Sequence, residues 1–155
     1  MKSKNNKIPL TIFIVIFILI AYFFWRSLRP VDIIAVHQDD DYSSVLVRNF
    51  PITDIGQINW WLKNKGTLKR RYGIPKPSSY GNFTIIFWDF GDGYKEEGKY
   101  DRLCFNDMKG PVNCIEKDAI FSVDNSPNLG TVFTVYDGGD YRFDKNGKLI
   151  EIHIE

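Results

Sequence analysis

The sequence predicts an α+β protein: an N-terminal transmembrane helix, then a small domain in which an antiparallel β-sheet of hairpins packs against one α-helix. Three observations carry this. An uncharged apolar run opens the chain, one later stretch has helical periodicity behind capping residues, and the part after residue 82 is strand-like segments between glycine turns. The ordering of a helix and then strand after strand suits α+β better than alternating βαβ units.

The apolar run covers residues 8–25, IPLTIFIVIFILIAYFFW, and contains no charge. As helix it spans roughly 27 Å, close to the hydrocarbon thickness of a bilayer. Pro9 sits at the first turn, where its missing N–H costs little. Tyr22, Phe23, Phe24 and Trp25 form an aromatic belt at the exit. A cleaved signal peptide ends its shorter apolar core in small residues, and here bulky aromatics occupy that place. A buried core helix is not normally apolar all round over so long a run. The reading is therefore a retained anchor. Lys2, Lys4 and Lys7 precede it and Arg26 and Arg29 follow, a bias that leaves residues 1–7 in the cytoplasm and exports the rest. Residues 26–30 are a short linker that keeps the domain, residues 31–155, near the membrane surface.

All 19 acidic residues fall after the linker, against 15 of the 20 basic ones, so the domain carries about −4. Nucleic-acid binding needs a basic footprint and is not expected. The two cysteines, Cys104 and Cys114, bracket a Gly110-Pro111 turn. In an oxidising compartment they are expected to pair, and closing so short a loop contributes about 3 kcal/mol on the chain-entropy model. The rival, a two-ligand metal site, lacks a C-x-x-C and a nearby histidine.

Along the exported part, residues 31–37 and 42–48 are β-branched strands flanking Gln38-Asp39-Asp40-Asp41, which reads as a hairpin loop. Consecutive aspartates point in different directions, unlike the alternating oxygens of a calcium loop. Residues 53–73 hold the soluble helix. Thr53 or Asp54 caps it, Gln57 completes a box with Asp54, and Gly73 ends it before Pro75 and Pro77. Ile55, Ile58, Trp61, Leu62, Lys65, Leu68 and Tyr72 form the stripe facing the core. Gly66 weakens the helix by about 1 kcal/mol relative to alanine.

Trp60 lies about 100° from Trp61 on the helix and off that stripe. It is a candidate partner contact, with a sheet-edge cover or a membrane-interface ring as the plainer alternatives. Lys69, Arg70 and Arg71 crowd the helix end, either as a solvated basic end that suits the macrodipole or as a site for lipid headgroups. Residues 83–90, apolar on both faces, are a central strand. Residues 99–105 and 119–123 are strands either side of the cysteine loop. Gly138-Gly139 and Asn146-Gly147 turn the segments 131–137, 140–144 and 148–154 into a meander.

For chemistry, Asp89-Phe90-Gly91 is a DFG without the glycine-rich loop, strand lysine or HRD loop of a protein kinase. Asp89 and Asp92 lack calcium-loop spacing. The histidines, His37 and His153, read as a hairpin shoulder and a wet strand face, and no nucleophile motif accompanies them. Glu96, Glu97, Asp101 and Asp107 could converge as catalytic carboxylates, as in any acidic domain. No catalytic residue, metal or cofactor is assigned.

The blocks LRPVDIIAVH, NWW, YGIPKP, IIFWDFGDGYKE, YDRLCF and NCIEK, in order from Leu28 to about Lys117, resemble the enterobacterial putative membrane proteins, a family with a domain of unknown function. The resemblance implies a single-pass protein of the bacterial inner membrane with its domain in the periplasm. It brings no catalytic residue, cofactor or substrate. The expectation is then a non-enzymatic domain that uses the bilayer as anchor and binds an unknown envelope protein, with toxin neutralisation as a specific version. The alternatives are a carboxylate-dependent envelope hydrolase and a structural accessory subunit of an envelope complex.

Overall fold

The computed structural model describes residues 9–154. The expected cytoplasmic segment, residues 1–7, lies outside them. The chain divides at Pro30 into two compact units. The first is α1, Leu10–Ser27, an 18-residue helix with no buried side chain and a mean hydropathy of 2.2, long and apolar enough to cross a membrane. It runs two residues beyond the aromatic belt. The Leu28 N–H closes its last turn on the Phe24 carbonyl, and the Arg29 guanidinium lies 3.9 Å from the centre of the Trp25 ring.

The second unit is α+β. Strands β1 (Asp32–Asp39), β2 (Tyr42–Arg48), β3 (Phe83–Asp89), β7 (Ala119–Ser126), β8 (Gly130–Val135), β9 (Asp140–Phe143) and β10 (Leu149–Ile152) form one sheet in the order β1-β2-β3-β7-β8-β9-β10. A second, three-stranded sheet, β4 (Lys95–Glu96), β6 (Val112–Ile115) and β5 (Leu103–Cys104), is ordered β4-β6-β5.

The hairpins are those the turn residues announce, with corrections in detail. Gln38 and Asp39 belong to β1 and pair with Ser43 and Tyr42, so the first turn is only Asp40-Asp41, with Asp40 at φ 51°. Aspartate is one of the few side chains that tolerates that conformation. The Gly138-Gly139 turn spans residues 136–139, and the Asn146-Gly147 turn is closed by Asp144, whose carboxylate accepts from the N–H groups of Asn146 and Lys148.

One pairing departs from the expected all-antiparallel sheet: β2 and β3 run parallel. The helix α2, Asp54–Tyr72, is the crossover between them, as a parallel pair requires. It runs through Gly66 without a break. Thr53 is its N-cap, its hydroxyl accepting from the Gly56 N–H at 3.1 Å, and Gly73, at φ 71°, its C-cap. Gln57 does not complete the box; its amide donates to the Pro51 carbonyl.

Helix α2 lays Ile58, Trp61 and Leu68 on Val45, Val47, Ile85, Phe87, Phe121 and Phe133, which together make the main core. Ile55 and Lys65 of the expected stripe are exposed, and Leu62 and Tyr72 are partly buried. Trp60, expected off the stripe, is instead half-buried. Its ring packs edge-on against Phe50 at 5.1 Å and Phe87 at 5.7 Å, because Phe50 follows β2 and widens the covered arc of the helix. The Asp54 carboxylate docks the helix start on the β8–β9 turn, accepting from the Tyr141 hydroxyl at 2.7 Å and the Gly139 N–H. The opposite face of the sheet carries ordered hydroxyls, Thr84 and Ser122 donating to Asp124 and Thr134 to Asp140.

Candidate functional site

The connection from β3 to β7 builds a small module on the sheet face away from α2. Phe90-Gly91-Asp92-Gly93 is a turn closed by the Gly93 N–H on the Phe90 carbonyl, with both glycines at positive φ, so the DFG triplet is a strand end. Beyond it, β4, β5 and β6 pair, and the cluster Leu46, Phe105 and Ile115 is sealed by Trp88, Phe90 and Tyr94. Leu103 and Cys104 are all the strand that the expected segment 99–105 contains. Cys104 and Cys114 stand directly opposite on β5 and β6 and form the disulfide.

The module is pinned to the main sheet through His37, the residue sequence reasoning passed over. A bulge between Ile33 and Ala35 puts Val36 on the helix side and turns His37 to the other. His37 is 9% exposed, and its ring stacks on Phe105 at 3.8 Å. In the neutral ring these contacts fit Nδ1–H donating to the Asp107 carboxylate at 2.8 Å, while Nε2 accepts from the Tyr94 hydroxyl at 2.8 Å. Burial first, and then the charge of Asp107, push the Tyr94 phenol above its ordinary range. The three side chains, hydrogen-bonded in series, clamp the module to β1.

Ion pairs add to the clamp. Glu116 takes Arg102 Nε at 3.0 Å and Lys95 at 3.2 Å, and these two cations, Arg102 foremost, hold its carboxyl below the usual range. Lys117 pairs with Asp101, and Arg102 also donates to the Glu96 carbonyl and lies over the Tyr100 ring. Among the described residues, every ion pair falls in this module or on His37.

The other expected site residues are elsewhere. Trp60, Lys69, Arg70 and Arg71 lie on α2, on the far side of the main sheet from the module. Lys69 donates to the Pro75 carbonyl at 2.7 Å, Arg70 to Thr67, and Arg71 lies over Tyr72. Asp107 binds His37 and Asp101 pairs with Lys117, while Glu96 and Glu97 are exposed. Among the described residues no three histidine, cysteine or acidic side chains gather as a metal site. Four of the sequence blocks quoted above meet in the module: VDIIAVH supplies His37, FWDFGDGYKE Tyr94 and Lys95, YDRLCF Arg102, Cys104 and Phe105, and NCIEK Cys114, Glu116 and Lys117.

Comparison with curated proteins and with solved structures returns no match. A family profile described as enterobacterial putative membrane protein (DUF943) matches residues 2–153, nearly the whole chain, and the chain belongs to that family.

Proposed function

We propose that the chain is a single-pass protein of the bacterial inner membrane, N-terminus cytoplasmic and domain periplasmic, that binds an envelope protein through the pinned module and catalyses nothing. The concentration of cross-links supports this reading. The disulfide, the His37 clamp and the ion pairs all rigidify one segment, and that segment displays Tyr100, 68% exposed, and Val112, 48% exposed. A surface ordered before binding loses less entropy on association, and tyrosine is a favoured anchor of such surfaces. A stoichiometric neutraliser of a protein delivered into the periplasm is the sharpest form of the reading, since it needs only a complementary surface.

Photo-crosslinkers placed at positions 100 and 112 of the full chain in cells test it. A discrete adduct is expected from both, lost in the Cys104→Ser/Cys114→Ser variant, and none from position 80, which is as exposed but outside the module. Equal adducts from position 80, or none from 100 and 112, would remove the proposal. A reporter active only in the periplasm, fused after the last residue, checks the orientation separately.

A further inference from the structure

We propose a second site, on the other side of the main sheet: a cavity beneath α2 that binds an acidic single-chain lipid. The cavity, about 380 Å³, is of small-molecule size. Its apolar wall comes from Trp61 and Leu62 of α2 and from Phe83, Phe133 and Phe143 of the sheet. Phe133 is buried and meets Phe143 edge-on at 5.9 Å, while Phe143 stays 41% exposed at the mouth.

The charged residues that line it are Lys65 and Lys69, and no acidic residue does. In a domain that carries about −4, this is a local reversal of sign. Lys65 makes no hydrogen bond or ion pair among the described residues, and Lys69 gives one bond to the Pro75 carbonyl, leaving its ammonium further donors. Aromatic walls with two cations beside them match an apolar chain that ends in a carboxylate or phosphate. A helix apolar enough to cross a membrane precedes the domain in the chain, and a bilayer is an abundant source of such amphiphiles.

Gly66 is a second, independent sign. A glycine inside a helix costs about 1 kcal/mol relative to alanine. Here a Cβ would meet only the tip of the Arg70 side chain, at 3.4 Å, so packing does not demand glycine. Gly66 does line the cavity, with no side chain of its own to occupy it.

The test uses the full chain in nanodiscs of zwitterionic lipid. The probe is a fatty acid with a diazirine in its chain, and labelled residues are located by mass spectrometry. Labelling is expected at the cavity wall and at least fivefold weaker in Gly66→Leu, which fills the cavity with a better helix former. It is expected to weaken likewise in Lys65→Glu/Lys69→Glu, and the same chain on a phosphocholine head is expected to leave the wall unlabelled. Should the charge-reversed variant fail to fold, Gly66→Leu with an unreduced melting temperature decides. Wall labelling that survives Gly66→Leu, equal labelling by the phosphocholine probe, or labelling confined to α1 would overturn the proposal.

Discussion

Tyr141 ties the meander to the helix with one hydroxyl. Its phenol is pushed up to about 12, chiefly by the hydrogen bond to Asp54, with burial and the charges of Asp54 and Glu151 adding to it. The folded chain thus holds this proton more tightly than the unfolded chain does. The stability it contributes is whole below about pH 10 and is lost as the pH rises through 12. Denaturant unfolding between pH 9 and 12 should show a falling stability whose slope is shallower in Tyr141→Phe; identical slopes would exclude Tyr141 as a source. Residue-scale features of this kind were the least legible in the sequence. Nothing in VDIIAVH marks the bulge that turns His37 inward, and no local pattern couples His37 to Asp107, 70 residues later.

At the scale of elements, two glycines of α2 should respond to alanine with opposite signs. At Gly56 a Cβ would stand 2.7 Å from the capping Thr53 hydroxyl, so Gly56→Ala should cost about 0.5–2 kcal/mol through loss of the cap. At Gly66 only a flexible guanidinium is near, and Gly66→Ala should stabilise by about 1 kcal/mol. Denaturant midpoints of the two variants measure both, and a stabilising Gly56→Ala would contradict the cap geometry. The helix was legible because capping residue, periodicity and terminal glycine agree. The hairpins were legible from their turn glycines. Strands β4 and β5, two residues each, have no room for a period: β4 left no signal, and β5 is the short remainder of the strand expected over 99–105.

Over the whole molecule, local signals specify the scaffold while long-range pairing decides its topology. The parallel β2–β3 pair could not be read, because the same strand–helix–strand order also fits strands placed apart. Opening the disulfide, with its ten-residue separation, should lower stability by about 3 kcal/mol on the entropy model. Hydrogen exchange should show that loss unevenly: amides of β4, β5 and β6 lose protection first while β3, β7 and β8 keep theirs. A uniform loss would mean that module and sheet unfold as one.

Strands β3 and β7 are hydrogen-bonded neighbours, with Trp88 opposite Ala119 where the module leaves and returns. To the sheet, everything between them is a hairpin loop that has grown. Such a segment can be exchanged for another, or trimmed to a tight turn, without rewiring a single strand. Leu46 and Trp88, which it covers, are the apolar cost of trimming. The architecture is in this sense a socket, in which the helix and the sheet are complete without the inserted piece that they hold.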